Sequence, residues 1–157
     1  MIFLDIDGVM LSAASWKPVE NLEDGFSAFS KRAVDCLNQL IQNTNASIVL
    51  TTSHKSRFTR EQWNQIFLSR NMSVTIFDKL EDNSESLNRK DEILNYLKAH
   101  QLIENYVIID DDKSLNDLPH AIKQKLVLTS SIIGLTQENI ETALGILNQN
   151  PLVEQGI

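Results

Sequence analysis

Residues 2–8 read Ile2-Phe3-Leu4-Asp5-Ile6-Asp7-Gly8, and most of the fold follows from how that stretch is taken. Branched and aromatic residues ending in Asp-Gly predict a buried strand over residues 2–6 that runs into a tight turn. The apolar start also resembles a secretory leader. A leader carries a basic n-region, however, and here there is none, while two aspartates fall where its apolar centre would lie. The stretch is therefore expected to be the first strand of the fold.

Working outward, four further runs have the same character: SIVLT at residues 47–51, VTIF at 74–77, YVII at 106–109 and LVL at 126–128. Between them the apolar period changes from two to about 3.6. Ala33, Leu37, Leu40 and Ile41 predict a helix over residues 30–43. Thr59 can cap a second, whose inner face is Trp63, Ile66 and Phe67. A third runs from Asp91 through Ile93, Leu94 and Leu97 to His100. Thr136 caps a last one through Ile140, Leu144 and Leu147, stopped by Asn150-Pro151. Residues 8–29 have no clean period and read as a loop or small flap. Strand and helix alternate throughout, which predicts an α/β, Rossmann-like domain: a parallel five-stranded sheet with helices on both faces. With 157 residues and no repeat, low-complexity tract or linker, the expectation is one domain over residues 1–157.

Composition narrows the function. The net charge is −7, from 14 Lys+Arg against 21 Asp+Glu, so a general electrostatic grip on nucleic acid or an anionic membrane is not expected. The excess is one-sided. Residues 1–80 hold 8 basic and 8 acidic groups, residues 81–157 hold 6 and 13, which leaves room for a local basic rim on the first half. A single cysteine, Cys36, excludes an internal disulfide framework and suits a reducing, cytoplasmic setting; it reads as a small core residue. No apolar run is long enough to span a bilayer. One cysteine and three scattered histidines offer no zinc-ligand spacing, and the histidines read as surface or packing groups.

In parallel sheets, ligands bind beyond the carboxyl ends of the strands. Those ends carry Asp5 and Asp7, Thr51 and Thr52, and Asp110, Asp111 and Asp112. Asp5 and Asp7 are two apart in an extended segment and point to the same side. Carboxylates crowded together repel unless a cation sits between them, and an all-oxygen ligand set suits Mg²⁺. A cation among carboxylates beside a free aspartate suits phosphoryl transfer. The triple aspartate is no EF-hand, since counting from Asp110 the sixth position is Leu115 and the twelfth Ala121. A receiver domain would need its acceptor aspartate on the third strand, and here VTIF is followed by Asp78 with no acidic pair to match.

DIDGV after an apolar strand, a threonine ending the next strand, a lysine opening a later helix and an acidic pair after YVII occur in the order of the haloacid dehalogenase (HAD) superfamily. Nearly the whole chain resembles that superfamily. RKDEILNYL, VIIDDD and the late Gly134-Leu135-Thr136 make it most similar to the small phosphatase-like branch found in RNA-repair and related bacterial proteins. The resemblance implies a nucleophile at Asp5 and an acid/base at Asp7. It implies phosphate binding by Thr51, with Thr52 as the alternative one residue on, and by Lys90, with Arg89 as its alternative. Mg²⁺ would be held by Asp5, the main-chain carbonyl of Asp7, Asp110 and Asp111.

The implied activity is a Mg²⁺-dependent phosphomonoesterase working through an aspartyl phosphate. The other readings are a non-catalytic module on the same fold and a metal-dependent nuclease. Residues 8–45 and 53–88 are each too short for a separate cap domain, so the site is expected to be open. That favours a large or terminal phosphate, on a nucleic-acid end or a phosphoprotein. Lys55, Arg57 and Arg60 beside Trp63 are the expected basic rim. Trp16, in the flap, is expected to pack.

Overall fold

The structure, a computed structural model, describes residues 1–14, 16, 18–81 and 87–149. Its elements alternate as expected: β1 (Ile2–Leu4), α1 (Lys31–Thr44), β2 (Ile48–Leu50), α2 (Arg60–Leu68), β3 (Ile76–Lys79), α3 (Arg89–Ala99), β4 (Val107–Asp110), α4 (His120–Lys123), β5 (Leu126–Leu128) and α5 (Gln137–Leu147). Helix α4 and the short 3-10 turns at Lys55–Arg57 and Lys113–Asp117 were not anticipated. The five strands form one parallel sheet in the order β3-β2-β1-β4-β5. Among the described residues there is no cap domain.

Both faces of the sheet are covered, which is why its strands read as continuous apolar runs. Ile2, Leu4, Ile48, Leu50, Val107 and Ile109 lie in the core built with α1, α2 and α5. Phe3, Val49 and Ile108 point the other way, against Ile93 and Tyr96 of α3 and Leu115 and Leu118. Helix starts follow side-chain chemistry. Ser30, Thr59 and Thr136 each accept a hydrogen bond from the third residue beyond them, and Thr59 and Thr136 complete capping boxes. Cys36 is buried in the first core, as its size suggested.

Three expectations shift. The third strand begins two residues late, at Ile76, level with the first residue of β2, Ile48, and its register then slips past Phe77. Val74 instead packs half-buried against the core, and Phe77 stands 46 % exposed. Helix α3 starts at Arg89 rather than Asp91, since Asn88 caps it by accepting from the Asp91 N–H at 2.9 Å. Helix α5 ends at Leu147, and the expected Asn150-Pro151 stop lies outside the described residues.

The flap is held by Arg70. Its guanidinium pairs with Asp24 at 2.7 Å and donates to the carbonyls of Phe26 (3.0 Å), Ser27 (2.8 Å) and Ile66 (2.8 Å). Phe26 is thereby pressed edge-on into Phe29, Phe58 and Trp63. Trp16, by contrast, is 70 % exposed and does not pack as expected.

Candidate active site

Register decides which side chains meet. Leu4 is level with Leu50 on one side and Ile109 on the other, so the next residues, Asp5, Thr51 and Asp110, form a row across three strands. The ladder continues through them, with the Asp5 N–H donating to Ile109 O at 3.1 Å and the Thr51 N–H to Leu4 O at 2.9 Å. By strand alternation all three share the face of Phe3, Val49 and Ile108, the face on which α3 packs. The first residue of α3 is Arg89, and it reaches over the row.

Arg89 donates to Asp110 Oδ2 at 2.6 Å and lies 3.4 Å from Asp5 Oδ1. The Thr51 hydroxyl donates to the same Asp110 oxygen at 3.3 Å and accepts from Arg89 at 3.4 Å. Asp110 is fully buried and Asp5 nearly so. Oxygens of Asp5, Asp110 and Asp111 all lie within 4.8 Å of one another. Three carboxylates thus face one guanidinium. Burial raises the Asp110 carboxyl to about 7, with the charge of Asp5 adding to the rise and Arg89 opposing it. Burial also raises Asp5, against Arg89 and with a contribution from Asp111, and it raises Asp111. For Arg89, burial works against the charge, yet Asp110 and Asp5 outweigh it and hold the guanidinium protonated. A divalent cation fits this donor set: hard oxygens only, clustered, and short of positive charge.

The turn after β1 is built to admit Asp111. Gly8 has φ +80°, and a Cβ there would overlap the Asp111 carboxylate. The Gly8 carbonyl accepts from the buried Thr129 hydroxyl at 2.7 Å. Gly134, at φ +79°, lets its loop close on Val9, where a Cβ would sit 2.8 Å from the carbonyl; Leu135 N–H donates to that same carbonyl at 2.8 Å. The late Gly134-Leu135-Thr136 segment is thus a brace for the first turn, and Thr136 caps α5.

Of the residues singled out in the sequence, Asp5, Thr51, Asp110 and Asp111 come together. Thr52 is buried but turned to the following loop, where its hydroxyl accepts from the His54 N–H at 3.2 Å. Lys90 makes no hydrogen bond or ion pair with the carboxylates among the described residues, and Arg89 stands in the position first given to it. The helical period accords with this once the buried residues of α3 are known. Arg89 is four before Ile93 and seven before Tyr96, the buried residues of α3, whereas Lys90 shares the half-buried stripe of Leu94 and Leu97. The Asp7 side chain does not join the cluster; its Oδ2 meets His54 Nε2 at 2.7 Å. His54 is thus at the site rather than a surface or packing group, and only its place three residues beyond Thr51 hinted at that.

Of the expected basic rim, Arg57 and Arg60 are exposed and Lys55 is not. Lys55 is buried and ion-paired with Glu92 at 2.7 Å, a contact without hydrogen-bond alignment. Arg60 donates to Phe77 O at 2.8 Å, and exposed Arg57 stacks over Phe26 and Phe58. Trp63 is fully buried, its indole donating to Lys55 O at 3.2 Å. Of the three rim cations only Lys55 turned inward, where the Glu92 carboxylate was available to it.

A parallel sheet in this order, with aspartates at the ends of β1 and β4, a threonine after β2 and a cation opening α3, defines a HAD-type domain. The family model described as the HAD domain in Swiss Army Knife RNA repair proteins matches residues 1–140, and the chain belongs to that family. No curated protein and no solved structure matches it.

Proposed function

We propose that the chain is a Mg²⁺-dependent phosphomonoesterase acting through an aspartyl phosphate on Asp5. The observation that supports this most is the buried, under-neutralised cluster of Asp5, Asp110 and Asp111 against Arg89. Burial of uncompensated carboxylates costs stability, and a bound cation and phosphate would relieve it. Asp5, Asp110 and Asp111, with the main-chain carbonyl of Asp7, would hold Mg²⁺, which when bound cancels phosphate charge and lets an anionic nucleophile approach.

Asp5 attacks phosphorus while the bond to the leaving oxygen breaks, and Asp7 gives that oxygen its proton. Asp7 then takes a proton from the water that attacks the acyl phosphate, releasing phosphate and restoring Asp5. Arg89 and the Thr51 hydroxyl neutralise and orient the phosphoryl oxygens, Arg89 taking the part first assigned to Lys90. Thr52 shapes the loop behind Thr51. The substrate class is a terminal phosphate on a nucleic-acid end, in keeping with the RNA-repair family and with the absence of a cap among the described residues. A reducing, cytoplasmic setting accords with the unpaired Cys36. Among the described residues no helix is long and apolar enough to cross a membrane.

The test is trapping with BeF₃⁻ and Mg²⁺, which mimics an acyl phosphate. Beryllium bound to Asp5, with turnover abolished by EDTA and restored by Mg²⁺, is the expected result. Trapping elsewhere, or activity undiminished in EDTA, overturns the mechanism. Cleavage of internal phosphodiesters without a phosphoenzyme would favour a nuclease.

A further inference from the structure

We infer that His54 is a positioning residue that holds the acid/base carboxylate of Asp7 with one oxygen tied down and the other free for proton transfer. The inference rests on the phosphatase reading and adds to it a residue that the reading does not include.

Asp7 sits on the turn beyond β1 with its side chain 45 % exposed. A carboxylate that open has several rotamers available, and only some would meet a leaving oxygen. Among the described residues its side chain has one hydrogen bond, Oδ2 to His54 Nε2 at 2.7 Å. An ionised carboxylate has only lone pairs to offer, so the hydrogen lies on Nε2 and His54 is the donor. Among the described residues Oδ1 has no such partner. When Asp7 carries its proton there, Oδ2 can keep accepting from Nε2, so the contact holds through both halves of the reaction.

His54 is itself fixed from three sides. Its N–H donates to the Thr52 hydroxyl at 3.2 Å, and its carbonyl accepts from the Arg57 N–H at 2.9 Å. Its ring stands edge-on to Phe26, centroids 5.4 Å apart at 79°. Phe26 is buried, and Arg70 holds its carbonyl. A continuous set of contacts therefore leads from the clamped flap through Phe26 and His54 to Asp7, which ties the end of β2 to the turn after β1. Thr52, which the sequence offered as a phosphate ligand, has its place here as the anchor of the His54 main chain.

The experiment compares wild type, His54→Ala and His54→Gln in Mg²⁺. The substrates are p-nitrophenyl phosphate, whose leaving group needs little protonation, and the best alkyl phosphate among β-glycerophosphate and 3′- and 5′-phosphorylated oligonucleotides. For His54→Ala, kcat on the alkyl phosphate should fall about 30-fold with KM changed by less than about twofold, a fraction of what general acid–base catalysis supplies. On p-nitrophenyl phosphate the same variant should release a burst of about one p-nitrophenolate per enzyme and then slow, because hydrolysis of the phosphoenzyme still needs the base. His54→Gln, whose amide can reach the Nε2 position, should recover about a third or more of the alkyl-phosphate kcat.

Thermal melting checks that each variant is folded, and Gln serves if Ala is not. Equal losses on both substrates without a burst, a change confined to KM, or folded Gln no better than Ala would each overturn the role of His54. Wild type that turns over none of these substrates would overturn the phosphatase reading and this inference together.

Discussion

Two arginines sit inward in this protein, Arg70 buried and Arg89 half-buried, and their surroundings differ. Arg70 has one carboxylate partner, Asp24, and the carbonyls of Phe26, Ser27 and Ile66, so its donors are satisfied and its charge matched. Arg89 faces Asp5, Asp110 and Asp111, one cation among three acids. The consequences show in the acids. The hydrogen bond from Arg70 leads the causes that hold Asp24 below its ordinary range, whereas burial and mutual repulsion raise Asp110 to about 7 despite Arg89. A saturated buried charge holds structure together. An unsaturated cluster is a place where something else binds.

The largest effect expected from breaking this contrast is on catalysis. Arg89→Met should lower kcat/KM by about a thousandfold, the scale of losing a positioned charge on the transition state. The apo fold should barely weaken, since the orphaned acids can take up protons. Steady-state kinetics and urea unfolding on the same preparation check both halves. Arg70→Met should do the opposite: about 3 kcal/mol less stable in urea, because Asp24 and three carbonyls lose their partner, with activity per folded molecule largely kept. Similar losses of stability in the two variants would erase the distinction.

Proton linkage sharpens the same comparison. A carboxyl raised to about 7 in the folded state binds more protons there than when unfolded, so apo stability should fall as pH rises from about 4 through about 7. Asp24, lowered, contributes the reverse: its stabilisation is present above the unfolded value and fades as pH falls below about 4. Melting curves of the metal-free protein should therefore pass through a maximum in mild acid. Asp110→Asn should flatten the neutral limb, and added Mg²⁺ should do the same and raise the melting temperature, as expected of a ligand for the folded state alone. A metal-free protein most stable at pH 8 would contradict the assignment.

The smallest effect concerns Arg57, one of two exposed members of the expected rim. Arg57→Ala should change stability by less than about 0.5 kcal/mol. It should raise KM for a phosphorylated oligonucleotide about two- to threefold at low salt, and KM for p-nitrophenyl phosphate hardly at all. Equal effects on both would make the stacking on Phe26 and Phe58 its whole role.

Much of this was legible along the chain because it depends on local order. Apolar runs, capping residues and turn chemistry are written in adjacent residues, and a parallel sheet places its strand ends together whatever the details. Asp5, Thr51, Asp110 and Asp111 could be named on that basis. The capping signals at Thr59 and Thr136 mark their helix starts. The third strand was less legible, because its start and its register slip both depend on pairing with the neighbouring strand.

What only the tertiary structure decided is which way side chains turn once the elements pack. The rotation of α3, set by Ile93 and Tyr96 against Phe3, brings Arg89 over the carboxylates and leaves Lys90 aside. Lys55 went inward to Glu92, across 37 residues of chain, and His54 went to Asp7 across 47. Arg70 closed on a loop 46 residues before it. Such pairings require two distant segments to be brought side by side, and long polar side chains follow whichever partner the packing supplies. Strand ends can be read from neighbours in the chain; partners of buried charges are read from neighbours in space.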